Sequence, residues 1–193
     1  LNKSFKMETV LSLVFTYIYT GLLLTFALML RKPLDGKEYI IDFSKDFYLF
    51  GMLVLIVCAT DVGAFVLGSL FGKRKLCPSI SPNKTIGGAI GGLACGIIAG
   101  CVWYFFFKGF ILKTSILGIY DMNIVLEILI LVLFTAVVSI CAQLGDLIAS
   151  KIKRECGIKD YSNLLPGHGG ILDRFDSIIF AGSVFYAICV LFF

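Results

Sequence analysis

The chain has 193 residues, 59% of them hydrophobic and only 16% charged, against about 25% charged in an ordinary soluble domain. Several apolar runs reach the roughly 20 residues that cross a bilayer, so the composition excludes a water-soluble globular domain and specifies an all-α, polytopic membrane protein. A net charge of +4, with no basic run interleaved with aromatics, excludes nucleic acid as a partner.

Five spans are expected, in a single transmembrane domain covering 1–193. The first runs from Met7 to Leu30 and is stopped by Arg31-Lys32-Pro33. Residue 1 is leucine rather than methionine, and the first apolar run is long enough to span rather than to be removed as a leader. The expectation is therefore a chain that begins inside a longer protein and lacks its N-terminal helices.

The second span, from Asp46 to Phe71, carries Asp61 about 15 Å from its Phe71 end at 1.5 Å per residue. A carboxylate at that depth costs roughly 2.5–3.5 kcal/mol on insertion scales, so it is expected to face a partner or a wet cavity. A structural bond to a neighbouring helix is the bland alternative. The loop over 72–85 follows, with Lys73, Arg74, Lys75 and Lys84. Ser81 followed by Pro82 reads as an N-cap with proline at the first helical position. That would make the start of the third span, with Lys84 and Thr85 in its first turn, an anion site.

The third span, Pro82 to Phe107, has Gly88, Gly92, Gly96 and Gly100 at four-residue spacing, a smooth stripe for close helix packing. Trp103, Tyr104 and three phenylalanines then read as an interfacial aromatic belt. The fourth span, Met122 to Ala149, reads as uniformly apolar until its last third, where Ser139, Gln143, Asp146 and Ser150 fall on one helical face. The loop over 150–175 contains Lys151, Lys153, Arg154 and Lys159, the glycine-rich Pro166-Gly167-His168-Gly169-Gly170, and then Asp173, Arg174 and Asp176 at the edge of a fifth span, Phe175 to Phe193.

Counting Lys and Arg sets the orientation. One side holds eleven, in the N-terminal segment and the 72–85 and 151–174 loops, and the other holds six. The richer side is read as cytoplasmic, with the N-terminus in and the C-terminus out. Seven cysteines, an odd number without a CxxC pair, and a single histidine point to packing rather than to disulfides or zinc.

Carboxylates without His or Cys partners select a hard cation, and Mg²⁺ held by one or two carboxylates plus substrate phosphates is the natural candidate. Asp146 and Asp173 are the first candidates as ligands, with Asp61 and Asp176 next. Lys84, Lys153, Arg154, Lys159 and Arg174 are candidates for holding phosphate, and His168 for donating a hydrogen bond to one. The sequence has no P-loop and no GxGxxG after a strand.

Ser150-x-x-Lys153-Arg154-x4-Lys159-Asp160 and Pro166-x-His168-Gly169-Gly170-x-x-Asp173-Arg174-x-Asp176 closely resemble the signature of phosphatidate cytidylyltransferases (CDP-diacylglycerol synthases). Thr60-Asp61-x-Gly63-Ala64, Phe71-Gly72-Lys73 and Ser81-Pro82-x-Lys84-Thr85 extend the resemblance over about residues 50–190. It implies Mg²⁺-dependent transfer of CMP from CTP to phosphatidate with release of pyrophosphate. The site would lie on the cytoplasmic face of a bacterial inner membrane or its equivalent, in a protein that tends to be a homodimer. Ser81, Thr85, Ser150, Gly169 and Gly170 join the substrate-binding candidates on the same basis. The sequence departs from the family at Gly87, where an acidic or amide residue is usual. The alternatives are a CTP-dependent enzyme acting on another lipid, such as an ether-lipid phosphate or a polyprenol, and an ion-coupled transporter using Asp61 and Asp146.

Overall fold

A computed structural model describes residues 43–108, 123–158, 160–162, 170 and 172–192. The expected first span and the expected loop over 108–121 lie, but for Lys108, outside the described residues. What is described is mostly helical: α1 (Phe43–Phe71), a small hairpin of β1 (Lys75–Cys77) and β2 (Ser81–Thr85), α2 (Ile86–Lys108), α3 (Ile124–Glu155) and α4 (Leu172–Phe192).

Among the described residues, three helical stretches are long and apolar enough to cross a membrane: Tyr48–Phe71, Ile86–Phe107 and Ile124–Glu155. Phe175–Cys189 of α4 is a shorter apolar helix. Helices α1 and α2 form the most extensive pairing, α3 pairs with α4, and α2 packs on α3. The shared core contains Leu53, Ile56, Val57, Val138 and Phe185. Many large apolar side chains face outward, among them Phe65, Leu70, Phe106 and Val125, as expected of helices solvated by lipid.

The glycine stripe does what its spacing predicts. A Cβ at Gly92 would lie 2.6 Å from the Thr60 carbonyl oxygen, and one at Gly88 2.6 Å from that of Ala64. Only glycine lets these two backbones meet. Beneath them the hydroxyls of Thr60 and Ser139 bond at 2.8 Å, both fully buried, tying α1 to α3.

The structure corrects four local readings. Ser81 is not a helix cap: Ser81–Thr85 is a strand, paired antiparallel with Lys75–Cys77. In a two-stranded ribbon Pro82 costs no ladder bond on its open edge, so the proline marks an edge strand instead of a helix start. The helix begins at Ile86, and its cap is Thr85, whose Oγ1 accepts from the Gly88 N–H at 3.1 Å. Next, α3 continues to Glu155, so Ser150, Lys151, Lys153 and Arg154 stand on its last turns and not in a loop. Finally, α3 is not uniformly apolar at its start, and Tyr104 is not an interfacial ring. Glu127 and Tyr104 are both buried and hydrogen-bonded to each other.

The seven cysteines are free thiols, with Cys189 buried, Cys77, Cys95, Cys101 and Cys141 half-buried, and Cys58 and Cys156 exposed.

Candidate active site

The C-terminal ends of α1 and α3, the N-terminal ends of α2 and α4 and the hairpin gather at one end of the helix bundle, where β2 touches α1, α2 and α3. At 1.5 Å per residue, Asp61 and Asp146 lie about 15 and 14 Å inside the ends of their helices. Both carboxylates therefore lie well below the helix ends.

The face predicted for α3 is real and is used along its length. Ser139 bonds Thr60, the Gln143 side-chain amide donates to the Ala89 carbonyl at 3.2 Å, and Asp146 meets Lys84. The Lys84 ammonium lies 2.5 Å from Asp146 Oδ2, with the two side chains 27% and 31% exposed. Ser150, one turn on, donates its hydroxyl to Asp146 Oδ1 at a long 3.4 Å. The strand supplies Lys84 and the cap supplies Thr85 next to it, so the hairpin brings a cation beside the N-terminal end of α2, where the Ile86 N–H bonds the Arg74 carbonyl and the Gly88 N–H bonds Thr85. Ser81 lies at the far end of the same strand, half-buried and with its partner Cys77 opposite.

Asp173 is held far more tightly. Its Oδ1 accepts from the Lys153 ammonium at 2.8 Å, while Oδ2 accepts from the backbone N–H groups of Tyr161 and Gly170, each at 2.9 Å. Burial of this carboxyl works against its charge, but the Lys153 bond and the two N–H donors outweigh it and hold the group below the usual carboxylate range. Its place in the first turn of α4 adds the favourable end of the helix dipole. Lys153 also lies 3.9 Å from Asp176 Oδ2 and 5.3 Å from the centre of the Tyr161 ring.

The chain folds that way because α3 ends in a Schellman turn. Gly157, at φ +69°, takes the left-handed conformation that favours glycine. The Ile158 N–H then bonds the Lys153 carbonyl at 3.0 Å and the Gly157 N–H bonds that of Arg154 at 3.1 Å. The reversal returns Asp160–Ser162 over the last turns of α3, where the Tyr161 hydroxyl donates to the Ala149 carbonyl at 3.4 Å. Burial first, then the charges of Asp176 and Asp173, push the Tyr161 phenol up to about 12, so it stays a neutral donor. Sequence reasoning missed Tyr161; its sign was a lone aromatic between the basic turn and the glycine loop.

Asp176 is buried, its Oδ1 accepting from the following Ser177 N–H at 2.7 Å and its hydroxyl at 3.4 Å. Asp61, Asp146 and Asp176 lie within electrostatic reach of one another, and Asp61 also of Lys84 and of the Ser177 hydroxyl. The structure thus brings together Asp61, Lys84, Asp146, Lys153, Asp173 and Asp176, with Thr85, Ser150 and Gly170 at the margins. Arg154 is exposed and stands apart from these pairs. Lys159, His168, Gly169 and the Arg174 side chain lie outside the described residues. Gly87 sits over the Phe71 carbonyl oxygen, 3.2 Å from where a Cβ would be, so a larger residue there would press on the end of α1.

Four carboxylates against two lysines leave an excess of negative charge, which suits a cationic ligand. Among the described residues no three acidic, cysteine or histidine side chains form a ready-made metal cage. The donor set fits an ion that takes a few carboxylate oxygens and completes its shell with phosphates and water, the habit of Mg²⁺.

The model of the cytidylyltransferase family matches residues 1–192. The chain is 48% identical over 146 residues to a phosphatidate cytidylyltransferase of Staphylococcus haemolyticus, a match covering 76% of this chain and 46% of that protein. It is 47% identical over 126 residues to the enzymes of that name from Staphylococcus saprophyticus and Staphylococcus aureus, covering 65% of this chain and 43% of each relative. The chain thus spans less than half the length of the curated relatives it matches. With the family model covering nearly every residue, the chain belongs to the cytidylyltransferase family.

Proposed function

We propose that the protein of which this chain is part transfers CMP from CTP to phosphatidate, giving CDP-diacylglycerol and pyrophosphate, at the cytoplasmic face of a membrane. The observation that carries the reading is the convergence of Lys84–Asp146 and Lys153–Asp173–Asp176 at one end of apolar helices. A two-tailed lipid can reach such a place from the bilayer and a nucleotide from water. The family and the names of the relatives support the substrates. The eleven-to-six imbalance of Lys and Arg supports the face.

In the reaction, an oxygen of the lipid phosphate attacks the α-phosphorus of CTP, and the bond from that phosphorus to the β-phosphate oxygen breaks. The attacking oxygen is already anionic, so no strong base is needed. What opposes the reaction is bringing two polyanions together, and positioned charge lowers that barrier most. Lys84, beside the capped start of α2, is placed to take up phosphate charge. Lys153 and the turn through Tyr161 keep Asp173 and Asp176 fixed at the entrance to α4. Mg²⁺, held by Asp146 with Asp61 and Asp176 and with Asp173 adjoining, would neutralise charge on the phosphates. The buried Thr60–Ser139 pair ties α1 to α3 below these residues.

The test is to incubate the purified protein with CTP, Mg²⁺ and phosphatidate and identify the products by mass. CDP-diacylglycerol with pyrophosphate is expected. Release of CDP would mean a kinase, and no CTP turnover with ion flux in vesicles would mean a transporter.

A further inference from the structure

The two lysines of the site are not equivalent. Lys153 is almost enclosed, its side chain 12% exposed, and it is fixed by two carboxylates and a ring. Lys84 is more open, rides on a short two-stranded hairpin, and makes one close ion pair, at 2.5 Å to Asp146. Among the described residues the other oxygen of Asp146 has only the long Ser150 contact. The well-bound oxygen of this carboxylate is thus occupied by a movable cation.

We propose that Lys84 is the resident counter-ion of Asp146 and keeps a divalent cation out until the phosphates of a nucleotide draw the ammonium away, so that metal and nucleotide enter together. The inference rests on the reading above that Asp146 is a metal ligand. An ammonium at hydrogen-bond distance and a divalent ion at about 2.1 Å cannot share one oxygen without strong repulsion. A free Mg²⁺ ion gives up its waters reluctantly and gains little by evicting an ammonium already paired. A triphosphate changes the balance by offering Lys84 a more negative partner. Lys84 also adjoins Thr85, which caps α2, so the ammonium already lies beside the positive end of that helix, where a phosphate is favoured.

The experiment is Mn²⁺ binding, followed by electron paramagnetic resonance of the free ion, on the full chain in detergent without nucleotide. Lys84→Met is expected to tighten Mn²⁺ binding by on the order of tenfold, the value of one charge-assisted hydrogen bond. The gain should persist in 1 M choline chloride, where the screening length is about 3 Å and long-range fields vanish. Lys84→Arg, which keeps the cation, should bind as the wild type does. So should Lys151→Met, which removes the same charge at a site 62% exposed. Adding Asp146→Asn to Lys84→Met should abolish the gain. Unchanged or weaker binding in Lys84→Met overturns the proposal, as does a gain that disappears in salt, is matched by Lys151→Met, or survives loss of Asp146. Product analysis separates the two readings. If the wild type makes no CDP-lipid and yet Lys84→Met tightens Mn²⁺, the assigned reaction falls and the counter-ion role stands.

Discussion

Lys153 on the last turns of α3 and Asp173 on the first turn of α4 form an ion pair at 2.8 Å with both side chains about nine-tenths enclosed. Because Asp173 also collects the N–H groups of Tyr161 and Gly170, this pair anchors the returning chain between the helices. Removing one partner leaves the other charged and enclosed, which costs about 3–5 kcal/mol in buried pairs. Lys153→Met should therefore lower stability strongly, and Arg154→Met, one residue away and exposed, by no more than about 0.5 kcal/mol. Reversible unfolding in mixed micelles would measure both. Equal losses would show that Lys153 is not the anchor.

Asp146 and Asp173 should respond differently to the same substitution. Asp146→Asn and Asp173→Asn are each expected to abolish pyrophosphate release, and the double variant to be little worse than either, because residues acting as a unit are not additive. Stability should separate them. Asp146 is part-exposed with one close partner, so its amide variant should unfold near the wild-type midpoint. Asp173→Asn turns an amide NH₂ toward donors already present and should unfold early. If Asp146→Asn keeps near-normal activity at limiting Mg²⁺, Asp146 is not a ligand; if Asp173→Asn does, the site does not depend on the Asp173 anchor.

The Asp173 network also fixes a pH dependence. Its carboxyl is depressed in the folded protein, so it stabilises the fold at pH values above the unfolded value of about 3.9, and the contribution is lost as pH falls through and below that value. Wild-type stability should decline steeply on acidification below about pH 4, and Asp173→Asn should show a shallower decline. Identical slopes would remove Asp173 from the linkage.

The helix faces were legible in the sequence because they follow from 3.6-residue periodicity. Gly88 to Gly100 and Ser139 to Ser150 each sit where their spacing puts them. The hairpin was not legible, since Ser81-Pro82 carries the same local signal as a helix cap. What decides is Lys75–Cys77, which pairs with it and moves the cap to Thr85. The Lys84–Asp146 partnership was hidden for the same reason, because it depends on a strand reaching across to a helix more than sixty residues on in the chain. Lys153 could be listed as a phosphate-binding cation, but its commitment to Asp173 depends on the reversal at Gly157. Glu127 was overlooked because one acid barely alters the hydropathy of so apolar a helix.

The last prediction links packing to the site. A methyl group at Gly92 would lie 2.6 Å from the Thr60 carbonyl oxygen and 3.0 Å from the Ala64 Cβ. The first of these is backbone and cannot rotate aside, so α1 and α2 must separate. Overpacking of this kind costs typically about 1–3 kcal/mol. Thr60 precedes Asp61, so the separation also moves Asp61 relative to Asp146. Gly157→Ala offers the contrast: its Cβ would meet nothing within 4 Å, but the positive φ is strained for alanine, at about 1–2 kcal/mol. Gly92→Ala should therefore lose both stability and kcat. Gly157→Ala should lose stability by a similar amount while the Asp61–Asp146 relation, and with it metal affinity, is kept. Unfolding midpoints together with Mn²⁺ binding on both variants would decide it. Gly92→Ala with wild-type metal affinity would show that the glycine seam does not set the geometry of the site.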